Sequence, residues 1–495
     1  MFQYERIEKM CGILLFYGPE AETRLNNNIS RIKHRGPDET GIYHHGLLSL
    51  GFNRLAINDK SSSGSQPFKY KNFVAVINGE IYNHNALRNQ YDIMIEGKCD
   101  TQVVLPLFES FGTEIISVLD GFYSGLIFDE KNCELFCLRD YIGKKPLFIG
   151  KSHAETFISS ELKAVTHIDC FEMLPKGVSR INLSRAEAVP VSRHKLPETD
   201  NDNISLKELV EQAVVKRLPS SDEPVGIFLS GGLDSSIIAS VVAAHRKDAV
   251  YYTLAEKNSQ DYLYVKKIEK CLGLNCVKYI SHIENEMLVS LVRRIVYATE
   301  SYNPSIISNG ICSYLLAESA HKDGLKVILS GEGADEIFCG YHMFQPEDNW
   351  KGVRQKLISD MCFTELRRID QSCMAHSIEN RCPFLDRYVY SFASDLHYKD
   401  FYHKYEDHLE NKHILRRSFE DVLPMDIVHR KKMSFDVGSG IRASIVRHLT
   451  KEGKAEKEVL KAVWKKLFKA DSDEAYYHSY PVFDSVIANR GETHK

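Results

Sequence analysis

The chain has 495 residues, 43% hydrophobic and 26% charged, with a formal net charge of -4. That length exceeds one core and predicts two domains, while the near-neutral balance excludes a nucleic-acid footprint and a membrane-surface role. No apolar run reaches membrane-spanning length, because "LVSLVRRIVYA" is broken by Arg293 and Arg294, and the opening "MFQYERIEKM" lacks the apolar core of a secretory signal.

Cys11 opens the first apolar run, with Met10 directly before it. Residues 11 to about 190 read as strand-rich: "GILLFY", "HGLLSLGFNRLAI", "FVAVIN", "FYSGLIFD", "ELFCLRD", "PLFIG" and "TFISS" are short β-branched and aromatic runs, with a helical stretch at 101–111. The 12 cysteines are scattered without a C-x-x-C pair, so reduced cytosolic thiols are expected. Cys133 and Cys137, in "CELFC", are expected on one face of a strand. "EAVPVSRHKLPETDNDN" (Glu187–Asn203), polar with two prolines, reads as a linker. Beyond it, "VGIFLS", "AVYYTL", "CVKYI" and "LKVILS" alternate with helical patterns, which predicts a doubly wound parallel sheet. From about 350 the pattern is mostly helical. The expected domains are 11–190 and 205–495.

"FLSGGLDSS" (228–236) follows a buried strand and opens a helix. Gly231 and Gly232 allow close backbone approach, Ser230, Ser235 and Ser236 add hydroxyls, and the helix start offers N–H groups to an anion. The Walker lysine is absent, so this is a phosphate cradle of another kind. "LSGEGADEIFCGY" (329–341) follows a second buried strand and brings Glu332, Asp335 and Glu336 to one strand end. Carboxylates that close repel unless cations sit between them or one acts as a base. A solvated acidic loop and a plain strand–helix turn are the bland alternatives, and the flanking apolar strands weigh against both.

The first of these loops resembles the pyrophosphate loop of the N-type ATP pyrophosphatases. With "MAHSIENRCPFLD", "RKKMSFDVGSG" and "EAYY" (Glu474–Tyr477), the second half resembles the glutamine-hydrolysing asparagine synthetases. The first half carries "MCGI", "HRGPD", "FNRLAI", "INGEIYNH", "CDTQVV", "RDYIGKKPLF" and "SSELKAV", and is similar to class II glutaminase domains. The resemblance implies an N-terminal-nucleophile αββα sandwich, then a doubly wound ATP-pyrophosphatase domain with a helical C-terminal part. The implied reaction hydrolyses glutamine to ammonia and adenylates aspartate with ATP and Mg²⁺, giving asparagine, AMP and pyrophosphate in the cytoplasm. A homodimer is also compatible with the family, and the ammonia would travel by an internal tunnel.

The resemblance also implies roles. Cys11 attacks the glutamine amide. Asn78 and Gly79 form the oxyanion hole. Arg54 pairs with the glutamine carboxylate and Asp100 with its ammonium, with Leu55, Ala56, Ile57, Asn58 and Glu80 completing the pocket. Leu229 and Leu254 line the adenine site, and Ser230, Gly231, Gly232 and Ser235 cradle pyrophosphate. Ser330 and Gly331 touch the nucleotide. Asp234 and Asp335 bind Mg²⁺, Glu332 assists adenylation and Lys432 neutralises phosphate charge. The family's Thr-Thr-x-Arg is replaced by Ser305-Ile306-Ile307-Ser308, so another carboxylic acid stays open beside aspartate as acceptor. A catalytically dead regulatory protein is the alternative from a different class.

An N-terminal cysteine carries its own general base, because an α-amine has a pKa of roughly 7.7–8.0. An amide in that place has no useful basicity. The residues before Cys11 are therefore expected to be absent from the working enzyme, by translation from Met10 and its removal or by cleavage of a propeptide; otherwise the glutaminase is inactive.

Overall fold

The computed structural model describes residues 11–199, 203–220, 222–255, 257, 259–280, 285–341, 347–450 and 453–468. Met1–Met10 and Glu474–Tyr477 lie outside the described residues. The chain divides into two compact units. Unit 1 comprises the described parts of Met1–Lys195, Asp360–Ser377 and Lys465–Lys495; unit 2 comprises those of Leu196–Ser359 and Ile378–Trp464.

Unit 1 holds twelve strands: β1 (Gly12–Tyr17), β2 (Glu39–His45), β3 (Leu48–Arg54), β4 (Phe68–Tyr70), β5 (Phe73–Ile81), β6 (Gly121–Asp129), β7 (Glu134–Arg139), β8 (Phe148–Ser152), β9 (Glu155–Ser159), β10 (Cys170–Met173), β11 (Gly177–Asn182) and β12 (Glu187–Ser192). They form two six-stranded antiparallel sheets, ordered β10-β8-β9-β1-β3-β2 and β12-β11-β7-β6-β5-β4. Strand alternation sorts the apolar residues into two layers. Ile13, Leu15, Leu50 and Phe52 of one sheet meet Val74, Val76, Leu126 and Phe128 of the other. The opposite face of β5, Ala75 and Ile77, packs on Leu105 and Phe108 of the helix Val104–Phe111. Each such buried side chain contributes about 1.5–3 kcal/mol. The sandwich leaves Cys11 at the mouth of β1, half-buried.

Two expectations are corrected. The first third of the expected linker, Glu187–Ser192, is the edge strand β12; Pro190 is tolerated there because an edge strand leaves one row of N–H groups unpaired. Cys133 lies in the turn before β7 with a positive φ and is exposed, whereas Cys137 is buried in the strand, so the two thiols do not share a face.

Unit 2 is built on a parallel sheet of β13 (Val225–Phe228), β14 (Val250–Leu254), β15 (Val277–Ile280), β16 (Val327–Leu329) and β17 (Glu379–Arg381), ordered β15-β14-β13-β16-β17. Strand order reverses between β13 and β16, the switch point where ligands bind such sheets. The helices start where the sequence provides caps: Ser205 and Glu208 form a capping box on Leu206–Val215, and Ser259 caps Gln260–Leu272. Strand β17 does not follow from the sequence pattern, because "ENR" carries two charges. It is buried because Arg381 bonds Glu379 Oε1 (2.7 Å) and the Arg217 carbonyl (2.9 Å).

The same region holds a fully buried ion pair. Arg217 Nη1 lies 2.7 Å from Asp386 Oδ2, with side chains 1% and 2% exposed, and Asp386 also accepts from Lys216 and caps Arg387–Ser394 through the Tyr388 N–H. Burial pushes the Asp386 pKa up, but Arg217 and Lys216 overrule it and hold it below the ordinary value. Asp386→Ala removes a buried carboxylate from beside the buried Arg217 guanidinium, and is expected to cost about 3–5 kcal/mol, read as a lower unfolding transition. Because the folded pKa is depressed, that contribution is present above about pH 4 and is lost as pH falls further. Unfolding curves of both proteins against pH should therefore converge in acid.

Candidate functional site

In unit 1 the pocket is assembled around the end of β3. Cys11 Sγ accepts from the Leu55 N–H (3.3 Å), and the Cys11 carbonyl accepts from Arg35 Nε (3.0 Å). Arg54, the last residue of β3, is buried; its Nη1 donates to Ser61 O (2.8 Å) and Glu39 Oε2 (3.2 Å), and its Nη2 to Asp59 O (2.6 Å). A Cβ on Gly64 would stand 2.2 Å from that Nη2, so glycine is needed for the loop to wrap the guanidinium. Ala56 N–H donates to Asp38 Oδ2 (2.9 Å), and Asn58 Nδ2 to Glu80 Oε2 (2.8 Å). The Ile81 N–H donates to Asp100 Oδ2 (2.6 Å). Cys11 is thus bonded to the segment Arg54–Asn58, in which Ile57 is buried, Asn58 reaches Glu80 on β5, and Asp100 bonds the residue that follows Glu80.

Asn78 and Gly79 lie on β5, paired with Ser124 and Tyr123. Gly79 has φ +149°, and a Cβ there would stand 2.1 Å from the Phe122 carbonyl. Asn78 is 2% exposed, yet its Nδ2 has no acceptor among the described residues. An orphaned buried amide donor is costly, on the order of 1–3 kcal/mol, and rare unless a ligand uses it.

In unit 2 the two glycine loops meet at the switch point. The first is tied by Ser235, whose Oγ accepts from Ser230 N–H (3.2 Å), contacts Ser230 Oγ (3.1 Å) and donates to Gly232 O (3.2 Å). Gly231 has φ +70°. Gly232 precedes the helix Leu233–His245 with no side-chain cap, which leaves the N–H groups of its first turn for an anion. In the second loop Ser330 N–H donates to Arg381 O (3.0 Å) and Ser330 Oγ to Asn380 Oδ1 (3.1 Å). A Cβ on Gly331 would stand 2.8 Å from Asp234 Cβ, so the two loops touch only because position 331 is glycine. Leu229 and Leu254, at the ends of β13 and β14, are buried, and Glu332 is half-buried.

The expected cations between the carboxylates are lysines. Lys412 Nζ lies 2.8 and 2.7 Å from the two oxygens of Asp234 and 2.7 Å from Asp335 Oδ1, and its side chain is 3% exposed. Lys432 Nζ bonds Asp335 Oδ2, while Glu336 accepts from Tyr341 Oη (2.6 Å). Burial pushes the Asp335 pKa up, but Lys412 and Lys432 hold it far below the usual carboxylate range; burial lowers Lys432, and Asp335 and Asp234 more than restore it. Asp335 Oδ1 is close to Lys412 but out of hydrogen-bond alignment, so a buried carboxylate oxygen has no aligned donor among the described residues. Two hard oxygen ligands beside an anion cradle suit Mg²⁺, which takes one or two carboxylates plus substrate phosphates. No group of three His, Cys, Asp or Glu side chains among the described residues forms a metal cage by itself.

Lys412 and Arg430 are the residues whose roles sequence reasoning missed. Lys412, in "ENKHILRR", has a left-handed backbone (φ +55°), uncommon for a residue with a side chain, and nothing in its neighbourhood marks it. Arg430, which reads as part of a solvated basic patch, donates to Ser230 O (3.2 Å), pairs with Asp261 and lies 4.1 Å over the Tyr264 ring, bracing the first loop. In the altered acceptor stretch, Asn303 caps the helix Pro304–Lys322 through Ser305 and Ile306; Ile306 and Ile307 are buried, and Ser308 Oγ donates to Asp436 Oδ2 (2.6 Å).

Family models agree with this division of chemistry. A glutamine amidotransferase domain model matches residues 10–195, and an asparagine synthase model matches 205–363 and 355–486. An asparagine synthetase [glutamine-hydrolyzing] of Lotus japonicus is 31% identical, covering 89% of this chain and 81% of its own; one of Arabidopsis thaliana is 32% identical over 87% and 78%. A solved glutamine phosphoribosylpyrophosphate amidotransferase of B. subtilis is 19% identical with a TM-score of 0.33, covering 50% of this chain and 66% of its own, a likeness too small to carry weight. With both models in order along one chain, and relatives matched over most of their length, the protein belongs to the glutamine-hydrolysing asparagine synthetase family.

Proposed function

We propose that the protein makes asparagine from aspartate, using glutamine as nitrogen donor and ATP as activator. The observation that carries this reading is the pair of glycine loops at the switch point, with Asp234 and Asp335 drawn together around Lys412. In unit 1, the Cys11 thiolate attacks the side-chain amide carbon of glutamine. The Leu55 N–H supports the negative sulfur, and Asn78 Nδ2 with the Gly79 backbone takes the developing oxyanion. Ammonia leaves and water cleaves the thioester. Arg54 and Asp100 hold the two ends of the amino acid, with Glu80 and Asn58 beside them. A free α-amine on Cys11 supplies the base, so the working enzyme begins at that residue. The twelve cysteines, none of them in a disulfide, suit a reducing cytoplasm, and assembly as a homodimer fits the family.

In unit 2, aspartate's side-chain carboxylate attacks the α-phosphorus of ATP and pyrophosphate leaves into the loop Ser230–Ser235. Leu229 and Leu254 flank the adenine, and Ser330 and Gly331 contact the nucleotide. Mg²⁺, held by Asp234 and Asp335, would spread the leaving group's charge. Lys412 keeps those two carboxylates in register, Lys432 supplies positive charge to the phosphates and Glu332 assists the adenylation. Ammonia then displaces AMP. A second reading keeps this chemistry and changes the acceptor acid; it is favoured by Ser308, whose hydroxyl is spent on Asp436 where the family resemblance leads one to expect an arginine.

Purified protein given Mg-ATP, aspartate and either glutamine or ammonium is expected to release one pyrophosphate per asparagine with both nitrogen sources. Asparagine from neither removes aspartate as acceptor, and asparagine from ammonium alone removes the glutaminase assignment. Asn78→Ala is expected to lower kcat for glutamine hydrolysis by about 10²–10³ with little change in KM, measured as glutamate release. Lys412→Met leaves Asp335 with Lys432 alone and Asp234 without its ammonium; pyrophosphate release with either nitrogen source is expected to fall by roughly two orders of magnitude, while glutamate release from glutamine persists.

A further inference from the structure

Arg35 is fully buried in unit 1 and spends its planar fork in three directions. Nε donates to the Cys11 carbonyl (3.0 Å), Nη1 to Glu161 Oε1 (2.6 Å) and Nη2 to Asp370 Oδ2 (2.9 Å). Glu161 cannot aim this guanidinium alone, because the same carboxylate accepts from His34 Nε2 (2.8 Å) and pairs with Lys163 Nζ (2.7 Å). Asp370 is therefore the acceptor that sets the second edge of the fork, and in a planar group two fixed edges fix the third. That third edge is the one that holds the backbone of the nucleophile.

Asp370 sits on the helix Glu365–Met374, inside the stretch matched by the asparagine synthase model although it packs in unit 1. The segment is anchored beside Arg35 a second time, by Ser377 Oγ donating to the His34 carbonyl (3.0 Å). Asp370 itself is 1% exposed, with Lys144 and Lys145 Nζ at 3.9 and 3.8 Å. On the other side, the Arg35 stem leaves no slack: a Cβ on Gly12, the residue after the nucleophile, would stand 3.2 Å from Arg35 Cβ. Rotation of Arg35 thus moves the Cys11 carbonyl, and with it the Cβ–Sγ arm that the Leu55 N–H holds at 3.3 Å.

We infer that Asp370 is a positioning residue for glutamine hydrolysis, acting through Arg35 on the backbone of Cys11, so that the glutaminase depends on a side chain encoded in the synthetase half of the sequence. The inference rests on the proposed role of Cys11 as nucleophile. It also explains why the segment Asp360–Ser377 packs in unit 1, where it completes the support under the nucleophile.

The test uses the two-unit protein with Cys11 as its first residue, carrying Asp370→Asn, Arg35→Lys or both, and Asp370→Glu as the conservative variant. Asp370→Asn is expected to lower kcat for glutamine hydrolysis by about 10- to 100-fold, with KM changed by no more than about threefold. Asparagine formation from ammonium stays at the wild-type rate, and Asp370→Glu recovers part of the loss. Alkylation of Cys11 by iodoacetamide, followed by mass spectrometry without turnover, slows by several-fold on the order expected when a thiolate loses its N–H donor. The double variant is no slower than the slower single variant, because both changes act on one contact. An unchanged kcat in Asp370→Asn, additive losses in the double variant, or parallel loss of ammonium-driven synthesis overturns the inference. Should Asp370→Asn not fold, Asp370→Glu alone decides, since it keeps the charge and displaces it by one methylene: wild-type hydrolysis and alkylation rates in that variant overturn the inference. If the wild-type protein hydrolyses no glutamine, the functional reading fails, and the alkylation rates still decide whether Asp370 positions Cys11.

Discussion

The ammonium of Lys412, shut between Asp234 and Asp335, is the interaction on which the synthetase unit depends. Two carboxylates at the starts of the helices that follow neighbouring parallel strands repel at close range in a poorly solvated place. The unit can bring them together only by placing cations there, and Lys412 and Lys432 are those cations. Glycine permits the approach from the other side: Gly331 lets one loop touch the other, and Gly340 leaves room for the Asp335 carboxylate, which a Cβ at 340 would meet at 2.0 Å. Charge and lack of side-chain volume together let the two loops meet at the switch point. The left-handed backbone at Lys412 is a local strain that this arrangement sustains.

The glutaminase unit solves a similar problem with a different balance. Cys11 stands half-buried just before β1. Arg35 holds the Cys11 carbonyl, Leu55 holds the sulfur, and the buried Glu161 and Asp370 hold Arg35, with Lys163 and the half-buried His34 on Glu161. Burial opposes the charge on Arg35, and Asp370 and Glu161 more than restore it, so the guanidinium is a permanent cation. Asn78 keeps a donor unspent among the described residues, which is the opposite treatment of a buried polar group: one is saturated, the other left open.

Much of this was legible in the chain itself. Short β-branched runs between turn residues marked β1, β5, β6 and β7, because a two-residue period needs only neighbours to be read. The motif "FLSGGLDSS" marked a strand, a glycine turn and a helix start in nine consecutive residues. By contrast β17 is written as Glu-Asn-Arg, and the reason it is buried is Arg217, far upstream. β12 was hidden by Pro190, whose tolerance depends on its place at the sheet edge. Cys133 left its expected strand face because a positive-φ turn ends one residue before β7 begins.

By itself the sequence determined the family, through motifs in order along both halves, and marked two glycine loops and an acidic cluster at strand ends. These are local patterns, readable from neighbouring residues. Only the tertiary structure decided which charge answers which. Lys412 is 178 residues from Asp234, and Asp370 is 335 from Arg35. Such pairs have no period and no motif; they exist because burying an ion demands a partner, and the fold, not the order of residues, determines which partner is within reach.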